Sequence, residues 1–376
     1  CRTVLSVMWV REAPFGLVAN VLVFNRLGTL PTRNFQAGTF EGAEALSAEA
    51  LHAMKGKVRR HCAACTIGCE HVFPTRDGKG VRLEYEGLFA LGPLCGIADR
   101  DAVLDAAARC DALGLDVISA GGTIAFAMEC RERGLLPDAP AFGDADGLLA
   151  MLDAIAGRRG VGDLLAEGSR RAAATLGHGA EHFAIHVKGL ELPGYEPRAL
   201  KAMALGLAVG TRGADHNRSG AYEEDFRAGG NRFDADPAKA AVVAEHEDRA
   251  ALMDSLILCK FLRGIFDDLA QESAAMLQAV TGWDVSADEL RWAGTRIVTA
   301  RRLFNEREGW TRAEDTLPGR FFDEALEADV ASGGATLDRG EFERMVDAYY
   351  TVRGWGEDGL VKAARIEALE LGELRR

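Results

Sequence analysis

His61-Cys62-Ala63-Ala64-Cys65-Thr66-Ile67-Gly68-Cys69 places three cysteines at C-x2-C-x3-C spacing. Thiolates this close converge on one centre, and soft sulfur ligands select zinc or an iron–sulfur cluster. With only eight cysteines in 376 residues, the chain carries no disulfide framework. A zinc site normally shows a second Cys/His pair at short spacing, and His61 or His71 could complete a Cys3His set. Three cysteines with a distant fourth thiolate are the commoner pattern for a four-iron cluster. Spacing alone leaves both open.

Around this stretch the chain is acidic, with 44 Lys and Arg against 57 Asp and Glu and a net charge of −13. That balance argues against nucleic acid and anionic membrane as partners. It suits a cytoplasmic protein that docks a small redox carrier, and unpaired cysteines point to a reducing compartment. No run approaches the roughly 18 apolar residues of a membrane span. Phe15 to Phe24, which contains Asn20 and is followed by Arg26, reads as a buried helix. No signal peptide is read. The chain starts at Cys1 and not at Met, so the natural N-terminus is expected upstream.

Residues 14–28 read as a short helix ended by Gly28, and Leu30 to Phe35 as an extended connector marked by Pro31. Residues 42–57 read as helical. Residues 72–85 alternate around Asp77-Gly78-Lys79-Gly80, a hairpin signal. From Asp99 onward helical periodicity dominates, over 100–113, 122–133, 144–157, 162–176, 198–209, 237–264, 285–306 and 340–352. The reading is mainly α: two helical domains, 1–187 and 188–376, with a small β-hairpin near the cysteine loop.

Two stretches echo one another, Asp111-Ala112-Leu113-Gly114-Leu115-Asp116 and Asp254-Ser255-Leu256-Ile257-Leu258-Cys259. Each closes a predicted helix on an aspartate, which the negative end of the helix dipole disfavours. Such a carboxylate needs a compensating donor, and a ligand rich in N–H groups would serve; the plainer reading is a solvated side chain. Cys259 is the natural distant fourth thiolate. Cys95, Cys110 and Cys130 read as buried small hydrophobes.

With these motifs stand Leu30 to Phe40, Lys188 to Arg198 (KGLELPGYEPR), Arg212 to His216 (RGADH), Arg302 to Phe322 and Tyr349 to Gly354. Together they make the chain resemble the tungsten-containing aldehyde:ferredoxin oxidoreductase family from about residue 28 to the C-terminus. The resemblance implies a [4Fe-4S] cluster on Cys62, Cys65, Cys69 and Cys259. It implies a tungsten (or molybdenum) bis-pterin at the domain interface, with Asp111 and Asp254 on the amino-pyrimidine edges. Leu115, Asp116 and Leu258 complete the two pterin motifs, and Ile257 stands where the family motif has glycine. It also implies Glu86 and His216 as the acid–base pair, although on its own terms Glu86 is a surface residue and His216 a core or capping one.

The expected partners are a small aldehyde and ferredoxin or a similar carrier. The family carries a β-rich N-terminal domain of roughly two hundred residues that this chain does not resemble. A separate N-terminal-domain partner or a homodimer is therefore also expected. Alternatives are a low-potential reductase subunit of the benzoyl-CoA reductase kind, a non-catalytic iron–sulfur electron-transfer module, and a zinc-structured interaction protein.

Overall fold

The computed structural model describes residues 16–375, apart from 66, 228, 263–264 and 329. Residues 14 and 15 of the first expected helix lie outside these. The molecule is mainly helical and divides into two compact units. The first comprises residues 1–199 and 318–336, the second 200–317 and 337–376.

In the first unit, short helices α1 (Asn20–Arg26) and α2 (Ala48–His52) precede a three-stranded antiparallel sheet. Its strands are β1 (Val58–Arg60), β2 (Glu70–Pro74) and β3 (Gly80–Arg82), with Val72 opposite both Val58 and Arg82. The expected hairpin is β2–β3. Strand β1 is an addition, and the helix expected over 42–57 shrinks to α2 and a 3-10 turn at Ala43–Leu46. The cysteine loop is thus the β1–β2 connection.

Helices α3 (Tyr85–Leu91), α4 (Arg100–Leu113) and α5 (Val117–Glu132) form the core of this unit. Asp99 caps α4, accepting from Asp101 N at 2.9 Å and Ala102 N at 3.1 Å, and Asp116 caps α5 through Ser119 N at 2.8 Å. Each cap is worth about 1 kcal/mol. Residues 120–130 of α5 are all buried, and a Cβ on Gly121 would stand 2.4 Å from the Ala90 carbonyl oxygen. That close approach seats α3 against α5. Helices α6 (Ala145–Ala156), α7 (Val161–Leu165) and α8 (Gly168–Leu176) and the small hairpin of β4 (His186–Val187) and β5 (Leu190–Glu191) complete this part.

Leu30 to Phe35 is not an extended connector. Arg33, Asn34 and Phe35 have φ of 45°, 52° and 63°, a left-handed turn closed by the Thr32–Ala37 bridge. Such backbone is costly for side-chain-bearing residues, and long-range bonds hold it. Arg33 N and Asn34 N donate to Pro93 and Leu94 carbonyls at 3.0 Å each. Asn34 Nδ2 donates to Glu129 Oε2 at 2.7 Å and to Phe183 O at 2.9 Å. Arg320 donates to Asn34 O at 2.7 Å and grips the Glu129 carboxylate.

These contacts move the boundary expected at 187/188. Glu191 takes bonds from Thr123 and Ser169, Arg198 donates to Phe35 O, and Arg320 closes on Glu129, so 188–199 and 318–336 belong to the first unit.

In the second unit, α9 (Lys201–Val209) is buried along its whole length. Two single turns follow, α10 (His216–Ser219) and α11 (Tyr222–Asp225), then α12 (Lys239–Ser255), α13 (Leu269–Thr281), α14 (Ala287–Arg307), α16 (Arg339–Arg353) and α17 (Ala363–Ala368); the one-turn α15 (Arg320–Asp323) belongs to the first unit. Helix α14 starts in a capping box of Ser286 and Glu289. Helix α12 packs against α14 and against α16, and Arg353 of α16 holds its Glu247 at 2.7 Å beside Tyr349. The helix expected over 237–264 ends at Ser255, and α13, between the Asp268 cap and Gly282, was not read from the sequence. Among the described residues no single helix is long and apolar enough to cross a membrane.

Candidate functional site

In the β1–β2 loop, Ala64 and Gly68 both take φ of 57°, curling the backbone around the cysteines. Cys65 N donates to Cys62 O at 3.0 Å, and Ile67 N points at Cys65 Sγ at 3.4 Å. The Arg59 guanidinium takes the Gly68 carbonyl at 2.7 Å and also the Ile67 carbonyl. Backbone acceptors are thereby tied to arginine while an N–H faces sulfur, which suits an anionic thiolate.

Cys62 is exposed, Cys65 and Cys69 are half-buried, and none of the three is in a disulfide. This donor set fits a thiolate-held cluster. The histidines of the zinc alternative are engaged otherwise. His61 Nδ1 lies 3.1 Å from Cys65 O, and His71 is buried edge-on to His52 at 4.9 Å. Burial, then the neighbouring His52, lowers the His71 imidazole to about 4. Among the described residues no three His, Cys, Asp or Glu side chains already converge as a metal site. Cys259, exposed, belongs to the second unit.

Cys95, Cys110 and Cys130 are fully buried, as expected, and burial pushes the Cys110 and Cys130 thiols up to about 12.

Glu86 lies in the first turn of α3, where Gly194 N donates to its Oε2 at 2.9 Å and its Oε1 is sealed from solvent. Burial raises its carboxyl to about 8; the Gly194 N–H opposes this, while Glu84 and Asp116 reinforce it. A carboxyl poised there exchanges a proton near neutral pH. Glu84, by contrast, is taken by Arg82 at the sheet edge.

The two aspartate motifs share one backbone form. Leu115 N donates to Cys110 O and Leu258 N to Met253 O, each at 2.9 Å, closing α4 and α12 alike. Asp111 is exposed, and its carboxylate has no hydrogen bond or ion pair among the described residues, so it fits an N–H-rich ligand edge. Asp116 has one oxygen on its helix cap. Asp254 is held by Arg218 and by Lys260 Nζ at 2.8 Å. The compensating donors there are the protein's own cations, which the sequence reading did not identify. Leu115 and Leu258 are half-buried.

His216 opens α10, with Nε2 3.1 Å from the Asn217 amide. Asp215 caps that turn through Asn217 N at 2.9 Å and accepts from Arg212 at 2.6 Å. Burial disfavours the Asp215 carboxylate, but Arg212 and His216 together hold its carboxyl below its usual range. The first unit thus gathers Cys62, Cys65, Cys69, Glu86, Asp111, Leu115 and Asp116, and the second His216, Asp254, Leu258 and Cys259. The second unit also holds a cavity of about 580 Å³ bordered by Asp248, Arg249, Leu252, Arg353 and Arg365.

The first unit is thus a helical scaffold that carries three cysteines in one loop and, on α3, a carboxyl whose proton affinity burial has raised. Residues 9–371 match the family description "Aldehyde ferredoxin oxidoreductase, domains 2 & 3". The tungsten-containing aldehyde ferredoxin oxidoreductases of Thermococcus kodakarensis and Pyrococcus furiosus are 38% and 37% identical to it, over 96% of this chain and 60% of theirs. The chain therefore belongs to the aldehyde ferredoxin oxidoreductase family, and it spans about 60% of the length of these relatives. An "aliphatic sulfonate oxidoreductase, WOR-like subunit" of Pyrococcus furiosus is 27% identical over 83% of this chain and 50% of its own. In fold the chain resembles the "active site complex BamBC of benzoyl coenzyme A reductase in complex with 1,5 dienoyl-CoA", at TM-score 0.73 and 20% identity, over 96% of this chain and 61% of that one.

Proposed function

We propose that this chain is the catalytic helical portion of a tungsten-pterin oxidoreductase that converts aldehydes to carboxylic acids and passes electrons through a [4Fe-4S] cluster to ferredoxin. The observation that carries the reading is the Glu86 carboxyl held by the Gly194 N–H at 2.9 Å, in the unit that also carries the three-cysteine loop.

Oxidation of an aldehyde consumes one water and releases two electrons and two protons. The bound tungsten–pterin supplies the two-electron acceptor. Glu86 takes a proton as water adds to the carbonyl carbon, and its raised affinity lets it hold that proton near neutral pH. His216 donates to the carbonyl oxygen as negative charge builds there. Asp111 presents its open carboxylate to a pterin edge, and Asp254 does so while sharing Arg218 and Lys260. Cys62, Cys65, Cys69 and Cys259 hold the cluster, the exit for electrons.

The chain acts in the cytoplasm, with ferredoxin or a similar carrier as electron acceptor and with either an N-terminal-domain partner or a second copy beside it. The test is anaerobic purification, alone and with its flanking sequence, followed by tungsten, molybdenum, iron and zinc analysis and aldehyde-dependent dye reduction. Tungsten with iron and aldehyde-driven reduction supports the reading. Reduction of an aromatic coenzyme A thioester without aldehyde oxidation would move the chain to the reductase class, and stoichiometric zinc without iron would defeat both.

A further inference from the structure

Leu192 to Arg198 forms part of the most distinctive stretch in the chain, yet the proposed reaction assigns it no task. Tyr195 N donates to Pro193 O at 2.7 Å, a tight turn centred on Gly194. The Gly194 carbonyl accepts from Tyr85 Oη at 2.6 Å, while its N–H donates to Glu86 Oε2 at 2.9 Å. Two adjacent side chains in the first turn of α3 therefore grip both polar groups of one residue. A Cβ at Gly194 would stand 2.7 Å from Tyr85 Oη and 2.9 Å from Phe89 Cγ, so only glycine fits beneath that tyrosine. Tyr85 is buried, its ring edge-on to Phe24 at 5.1 Å and beside Tyr195 at 6.3 Å. Beyond the turn, the buried Glu196–Arg198 pair at 2.8 Å anchors the segment through Arg198 on the Phe35 carbonyl at 2.5 Å.

We propose that Gly194, locked in place by Tyr85, is the positioning element for Glu86, its N–H fixing where the carboxyl points. The inference rests on the reading of Glu86 as the proton-transfer group, and Tyr85 acts only through Gly194. Glu84 and Asp116 act on Glu86 through charge, and both disfavour its ionised form. The Gly194 N–H favours it. Tyr85→Phe keeps the ring packing and deletes the hydroxyl that restrains the Gly194 peptide.

The test is an NMR titration of this chain carrying labelled Glu side chains and glycine amides. The Glu86 signal is assigned by its loss in Glu86→Gln. In the wild-type chain the Gly194 amide should shift with the Glu86 transition, and in Glu86→Gln that shift should vanish. In Tyr85→Phe the Glu86 midpoint should rise by about half a unit to one unit, a three- to tenfold change in proton affinity. The acid limb of kcat/KM in the complete enzyme should move with it, which lost stability alone would not cause. A Gly194 amide that ignores the Glu86 transition, or an unmoved midpoint in folded Tyr85→Phe, overturns the inference. If Tyr85→Phe does not fold, the Gly194 amide in the wild-type chain decides. Full turnover in Glu86→Gln, with the Gly194 amide of the wild-type chain tracking Glu86, would remove the catalytic reading while upholding the positioning.

Discussion

Gly114 and Ile257 occupy the same left-handed position in two copies of one helix-ending motif, with φ of 69° and 55°. Glycine takes this backbone freely, whereas a β-branched side chain clashes with its own carbonyl there. Ile257 is also 92% exposed, so no packing in its unit offsets the strain.

Ile257→Gly is accordingly expected to stabilise the second unit by about 1 kcal/mol, the left-handed penalty less the added freedom of the unfolded chain. Gly114→Ala should destabilise the first unit by about the same amount. Urea midpoints with unchanged slopes would measure both, and a destabilised Ile257→Gly would show that Ile257 is not strained.

The cysteine loop sets a metal-content prediction. Anaerobic protein should carry about four irons per chain, and Cys259→Ala should lose or convert the cluster. Iron and acid-labile sulfide analysis, with the visible spectrum, reads this directly.

Glu86→Gln should lower aldehyde turnover by about 10²–10⁴-fold in the complete enzyme while leaving metal content intact. Wild-type turnover in this variant would remove Glu86 from the mechanism.

The same residue makes stability depend on pH. Its proton affinity rises from 4.5 to about 8 on folding, so its stabilising contribution is complete below about pH 4.5 and is lost as pH climbs through about 8. The slope is at most ~1.4 kcal/mol per pH unit. Glu86→Gln should flatten that decline, giving a variant more stable than wild type near pH 9 and no better near pH 5. Denaturation at both pH values checks the sign.

Arg320→Met would leave Glu129 buried with its principal cation gone, since Arg133 is half exposed. Breaking a buried pair from one side costs about 3–5 kcal/mol. The first unit should lose stability on that order, and the bonds that hold Asn34 in its left-handed turn should loosen, seen as faster amide exchange at residues 33–35.

Local pattern carried much of this architecture. The helices over 100–113, 287–307 and 339–353 were legible because their apolar period and their caps at Asp99, Ser286 and Asp338 lie within one turn of each other. The hairpin was legible in Asp77-Gly78, and the thiolate loop in cysteine spacing. Helix α13 was missed although Asp268 and Gly282 bracket it, because exposed Met276 and Val280 blur its apolar stripe. The ends of α12 and of 42–57 were overrun because apolar residues continue past the point where the backbone turns.

What the sequence determined by itself was whatever neighbours in the chain could enforce: helix periods, caps, one hairpin, and three cysteines in one loop. Tertiary structure alone decided that Leu30–Phe35 curls left-handed, that residues 318–336 join the first unit, that Arg218 and Lys260 occupy Asp254, and that Gly194 meets Glu86. The Glu86–Gly194 and Glu129–Arg320 partners stand 108 and 191 residues apart. Contacts at that separation leave no periodic trace, because their energy comes from burial and hydrogen bonds that exist only once both partners are brought together.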